Sequence, residues 1–260
     1  MKTILSAVLL LLPVAASAKN LAANKPSAKE KKIAVSTAAA GTELPSYAAS
    51  TATLTLDLIG ARFAEVDGKM KTLRATFKQF VRMEGSDTVQ QVEGEVLFKK
   101  PDLMRLTHTL PEKQTVVSDG TFLWIHRPST NQVIQTRVEA WRKKEPLAKG
   151  LLDFGRSADL LKRYSAAIST VSAPGADGYR TFVVTLTPKP EDHATGDADF
   201  ALTLKASTKD FFPGEATLRV GRASIRSTFE HVRLNPELPD DAFRFSPPPD
   251  ADVFATPDQP

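Results

Sequence analysis

The sequence predicts a mainly β (α+β) protein of about eleven strands, and three observations predict it. Short runs of apolar and polar residues alternate with period 2, the mark of half-buried strands. Turn residues separate these runs at the regular spacing of an antiparallel architecture. Only one stretch long enough for a substantial helix carries apolar residues at helical spacing, and no break in composition falls between Thr51 and Val253, so a single domain is expected there.

The helix comes first. Leu54, Leu58, Ile59, Phe63 and Val66 form one stripe, and Asp67-Gly68 offers a stop. Leu73, Ala75, Phe77, Gln79 and Val81 then alternate with Arg74, Thr76 and Lys78 in a half-buried strand. After a turn at Glu84 to Asp87, Val89 to Lys100 places Val92, Val96 and Phe98 on one face and Glu93, Glu95 and Lys99 on the other. Pro101 ends that strand, because proline brings no N–H to a ladder. Leu103 to Leu110 is the next strand. Thr115 to Ser118 and Thr121 to His126 flank Asp119-Gly120, a pair that tolerates the positive φ of a tight hairpin. Gln132 to Val138 follows a turn at Arg127 to Asn131.

The strands then pause. Pro146 to Leu152 and Ser157 to Tyr164 read as two short helices, the second with Ser157 as N-cap and Asp159 in its first turn. Arg180 to Thr187, Phe200 to Ala206, Glu215 to Val220 and Ala223 to Arg233 return to strand patterning, and Phe243 to Ser246 reads as the closing strand.

The termini are of another kind. Met1-Lys2, the apolar run Ile4 to Val14 and Ala16-Ser17-Ala18 form a signal peptide over residues 1–18 with an A-x-A cleavage site. The run is short of the roughly 20 apolar residues a bilayer span needs, which favours an exported, soluble protein over an uncleaved anchor. Residues 19–50 are rich in Ala, Lys, Ser and Thr, show no periodicity and read as a flexible leader. The whole net charge of +4 lies in residues 1–50, leaving the remainder neutral. A neutral domain is a poor nucleic-acid binder, so no nucleic-acid partner is expected. Residues 254–260 are a tail. The chain has no cysteine, which excludes disulfides, thiolate metal sites, cysteine nucleophiles and a cysteine-borne lipid anchor.

The residues offer almost no chemistry. His108, His126, His193 and His231 are widely separated and lack metal-ligand spacing, and there is no nucleophile elbow, S-x-x-K, Walker loop or G-x-G-x-x-G. Asp197 and Asp199, and Asp240 and Asp241, sit in turn contexts that favour caps over acid/base work. His126 reads as a packed or hydrogen-bonded side chain. No catalytic residue, metal site or cofactor is expected.

Three segments carry a resemblance: Lys99-Lys100-Pro101-Asp102-Leu103-Met104-Arg105, then Val117-Ser118-Asp119-Gly120-Thr121-Phe122-Leu123-Trp124, then Phe243-Arg244-Phe245-Ser246-Pro247-Pro248. In order and spacing they resemble the periplasmic outer-membrane lipoprotein carrier family (LolA) over most of residues 51–253. The resemblance implies an incomplete antiparallel β-barrel with short helices forming a lid over an apolar cavity. It implies a soluble periplasmic carrier, a monomer, that takes acylated lipoproteins from an inner-membrane ABC transporter to an outer-membrane acceptor.

On that reading Phe77, Val92, Val96, Phe98, Met104, Leu106 and Trp124 face the cavity from the sheet, and Leu54, Leu58, Ile59, Phe63, Leu147, Leu151 and Leu152 from the lid. An apolar strand face looks the same over a core as over a pocket, so ordinary core remains the other reading of each. The family commonly places an arginine before the strand-ending proline to hold the lid. Here the position is Lys100, which lacks the planar fork of a guanidinium, and Arg105 is an alternative latch. Further readings are a periplasmic sensor or binder of another lipid, such as a glycolipid or mislocalised lipoprotein, and a lipid hydrolase built on Ser118 with His108 or His126. The sensor would carry a second C-terminal domain.

Overall fold

A computed structural model describes residues 53–144, 155–190 and 200–255. The predicted signal peptide and leader, the helix over Pro146 to Leu152 with Leu147, Leu151 and Leu152, and residues 256–260 lie outside the described residues. Helix α1 spans Leu56–Lys69 and is followed by six strands, β1 (Thr72–Met83), β2 (Val89–Lys99), β3 (Leu103–Leu110), β4 (Gln114–Asp119), β5 (Phe122–Arg127) and β6 (Gln132–Arg137). Two short helices, α2 (Val138–Lys144) and α3 (Ser157–Arg163), precede β7 (Ser165–Val171), β8 (Thr181–Thr187), β9 (Phe200–Ser207), β10 (Pro213–Val220) and β11 (Ala223–Leu234). A 3₁₀ turn at Asp240–Phe243 leads to β12 (Asp252–Ala255).

The twelve strands of the described residues belong to one open sheet in the order β12-β6-β5-β4-β3-β2-β1-β11-β10-β9-β8-β7. The two ends of that order do not pair with each other, so the barrel is incomplete. Every pairing is antiparallel except that of β12 with β6.

The pleat sends alternate residues to opposite faces, and the register makes one face continuous from β6 to β7. Phe98 pairs with Met104, Met104 with Ser118 and Leu106 with Val116. On the other side Val184 pairs with Leu204 and Leu218 with Ile225. This inner face and the buried face of α1 form one apolar layer, with Ile59 and Phe63 from α1 and Ala158 and Leu160 from α3 packed into it. Phe63 lies 6.2 Å, centroid to centroid, from Phe182 of β8.

Six details depart from the sequence expectations, two of them being helix α2, which was not predicted, and Phe254 and Ala255, read as tail, which belong to β12. The helix does not stop at Asp67-Gly68 but runs to Lys69, because Gly68 does not take the positive φ of a glycine stop. The N-cap of α3 is Arg156, without a side-chain cap bond, rather than Ser157. Strand β7 was not predicted: its Ser165-Ala-Ala-Ile-Ser-Thr-Val171 sequence is small and polar, and most of it is exposed at the sheet edge. Phe243 to Ser246 is not a strand; the chain there crosses the outer face, and β12 closes the sheet instead.

Candidate functional site

The candidate site is the apolar layer between the sheet and the helices. Six of the seven sheet residues picked from sequence lie on the inner face and are buried: Phe77, Val92, Val96, Phe98, Met104 and Leu106. From α1, Ile59 and Phe63 are buried in the same layer, Leu54 is partly buried against it, and Leu58 is half-buried. Leu123, Ile125, Phe182, Val184 and Leu218 belong to the same layer and were not singled out. The alternation in β5, β8 and β10 could have found them.

Trp124 is a correction. It pairs with Val117 and Gln135, one residue out of phase with Leu123 and Ile125, and therefore projects from the outer face. There its ring lies 5.8 Å from Phe245, and Phe245 also stacks on His126 at 5.7 Å. The segment after β11 covers this part of the outer face. Arg105 donates to the Ala242 carbonyl, Lys99 pairs with Asp240, and Phe243 is buried. An aromatic on a strand declares that some surface covers it, not which one.

The helices are tied to the sheet at one end of the layer by a small polar knot. Asp67, in the last turn of α1, accepts a hydrogen bond from the backbone N–H of Ala158 at 2.8 Å, at the start of α3. That contact serves the amino end of α3, whose first N–H groups have no partner within the helix. Burial pushes the Asp67 carboxyl up, opposed by the bonds from Ala158 and Ser157 and by the nearby Lys100 charge. The Lys100 ammonium in turn donates to the Asp67 carbonyl.

Gly155 lies against this lysine. It holds a φ of +72°, and a Cβ there would come within 2.5 Å of Met70 Cε and 2.9 Å of Lys100 Cε. A glycine is therefore needed both for the turn and for the passage of Lys100. Arg105 does not substitute for Lys100, because it occupies the outer face and binds Ala242.

Polar groups on the inner face are few. Gln79 donates to Ser227 at 3.0 Å across the β1–β11 pairing. Gln114 accepts from Arg127 Nε at 3.1 Å. His108, only 2% exposed, packs edge-on to Phe77 with ring centroids 5.6 Å apart. Its strand neighbours are Gly94 and Gln114. Burial holds the imidazole at a pKa of about 4, so it is neutral near pH 7.

The model of the family described as "Outer membrane lipoprotein carrier protein LolA" matches residues 68–246. The chain belongs to this family. Among its curated relatives, an outer-membrane lipoprotein carrier protein of Dechloromonas aromatica is 30% identical over 184 residues, covering 70% of this chain and 81% of the relative. One of Albidiferax ferrireducens is 26% identical over 189 residues, covering 71% and 85%. A solved LolA superfamily protein from Nitrosomonas europaea is 15% identical and covers 74% of this chain and 99% of its own, with a TM-score of 0.40.

LolA relatives are carriers by name, and the hydrolase alternative finds no geometry here. Ser118 Oγ donates to the Asp102 carbonyl at 2.7 Å. His108 lies opposite Gln114, four residues along β4 from Ser118, a separation of about 13 Å at the strand rise. His126 is on the other face. Among the described residues no group of His, Asp and Glu could hold a metal, and no helix is long and apolar enough to cross a membrane.

Proposed function

We infer that this LolA family member carries the acyl chains of lipoproteins through the periplasm, from an inner-membrane transporter to an outer-membrane acceptor, with the chains lodged between the sheet and the helices. The observation that carries the reading is the continuous apolar inner face from β6 to β7, lidded by α1 and α3 in a chain of the carrier family. Each buried CH₂ is worth about 0.8 kcal/mol, so a multiply acylated protein cannot cross water unless its chains are covered. Phe77, Val92, Val96, Phe98, Met104 and Leu106 supply the sheet side. Leu54, Leu58, Ile59 and Phe63 supply the lid, with Leu147, Leu151 and Leu152 assigned to the lid by the resemblance.

The chemistry asked of such a carrier is exchange rather than catalysis. α1 and α3 give up their own contacts with the sheet and the acyl chains take their place, so the net affinity is the difference between two similar burials. A modest difference lets cargo pass downhill to a tighter acceptor. Lys100 sets part of it, because lifting α1 breaks its bond to the Asp67 carbonyl.

The experiment is to purify the mature protein, identify retained lipids or lipoproteins by mass spectrometry, and follow release of a fluorescent acylated peptide. Acylated cargo and slower release by Lys100→Arg are expected, since a guanidinium offers more donors to the lid. Absence of any acyl-chain binding would overturn the reading of the site, and faster release by Lys100→Arg the reading of Lys100.

A further inference from the structure

The inner face treats its buried polar side chains in two ways. Gln79 and Ser227 satisfy each other, and Gln114 is engaged by Arg127. His108 differs: its Nε2 is fully buried and has no hydrogen-bond partner among the described residues. Its surroundings explain why. Gly94, opposite on β2, has no side chain, and the Phe77 ring lies over that glycine, within 2.9 Å of where a Cβ would stand. On β4 the Gln114 oxygen is taken by Arg127.

An unpartnered buried polar group costs about 1–3 kcal/mol, and a Phe or Leu of similar volume would avoid it. A trapped water would need two to four polar partners to be held. The imidazole nevertheless points into the layer read above as the acyl-chain site. An acyl chain brings one polar atom with it of necessity, the carbonyl oxygen by which it is joined to its carrier. That oxygen accepts and does not donate, and a neutral imidazole protonated at Nε2 is its complement.

We propose that His108 is a binding residue for the ligand's acyl ester carbonyl, its Nε2–H donating to that oxygen and so fixing how deep the chain sits on the inner face. The proposal rests on the acyl-carrier reading and adds a preference that an apolar pocket alone does not have. Alkyl chains without a carbonyl fill the same space but leave His108 unpaired.

The test compares a diester phosphatidylglycerol with its diether analogue of equal chain length, both below their aggregation concentrations, on the wild-type mature chain, His108→Phe and His108→Gln. Displacement of an environment-sensitive fluorophore reads affinity. The wild type is expected to bind the diester about 10-fold more tightly than the diether, the worth of one hydrogen bond made out of water. His108→Phe should bind both equally, and His108→Gln, which retains an N–H donor, should keep part of the preference.

The ¹⁵N resonance of His108 Nε2 in the wild type should move with the diester and stay with the diether, a readout independent of any variant's folding. Equal wild-type affinities, an unmoved resonance, or a preference that survives in folded His108→Phe would each overturn the proposal. Binding of both lipids without a preference leaves the acyl-carrier reading standing, whereas binding of neither removes both.

Discussion

The two faces of strands β3 to β5 are built from the same alternating pattern and end in different roles. On the inner face Met104, Leu106, Val116, Leu123 and Ile125 belong to a layer shared with α1 and α3. On the outer face Arg105, Val117, Trp124 and His126 lie under a single extended segment that turns at Asp240–Phe243 and places Phe245 on the two rings. The inner cover is two helices that pack apolar side chains into the layer and are tied at one end by a few polar contacts. The outer cover continues into β12, which adds to the sheet beside β6. The difference lies in what covers a strand rather than in the strand itself.

The largest expected effect separates the faces by charge. Leu106→Glu puts a carboxylate into the layer with no partner, at a cost of about 3–5 kcal/mol in stability. Any protein that folds should lose acyl-chain binding, read by displacement of a fluorescent lipid. Trp124→Glu, on the outer face, forfeits the Phe245 contact and costs about 1–2 kcal/mol, with binding unchanged. Equal loss of binding in a folded Trp124→Glu would erase the distinction between the faces.

A smaller effect is read by acid. His108 is held at a pKa of about 4 by burial, against roughly 6.5 when unfolded. Between those values the unfolded chain binds a proton the folded chain refuses, so stability falls as pH drops from about 7 to about 4, by roughly 3 kcal/mol in total. Gly94, Gln114 and the Phe77 ring beside it are uncharged, so among the described residues no neighbouring carboxylate rescues the imidazolium. Urea melts of the wild type and His108→Gln across that range should diverge toward acid, with the wild type losing more. Parallel curves would mean that His108 is reached by solvent and that the inner face is not sealed there.

Most of this fold was legible in the sequence because one buried face imposes period 2 on every strand that meets it. Leu73 to Val81 and Val92 to Phe98 declared themselves in that way. β7 did not, because an edge strand of Ser, Ala and Thr buries too little to leave a pattern. Trp124 was placed on the wrong face because hydrophobicity marks burial without direction, and the segment that buries it lies over a hundred residues downstream. The partnership of Asp67 with α3 was invisible for a related reason: a helix end can be served by a side chain 91 positions away, and local motifs record only the near ones.

The finest test of the inner face is at Gly94, whose role is close approach. A Cβ there would stand 2.3 Å from the Thr107 carbonyl oxygen and 2.9 Å from two atoms of the Phe77 ring. The carbonyl belongs to the strand backbone and cannot swing aside, so Gly94→Ala must part β2 from β3 or lift Phe77 away from His108. Overpacking of this kind costs about 1–3 kcal/mol, and about 2 kcal/mol is expected in thermal or urea melts. The direction of relief is the informative part. If Phe77 moves, the edge contact with His108 opens and the His108 pKa rises toward its ordinary value, which NMR titration of the imidazole reads directly. If the strands part instead, that pKa stays low while amide exchange quickens at Thr107 and its neighbours. Neither change, with stability intact, would mean that the Phe77–Gly94–His108 packing is looser than the geometry requires.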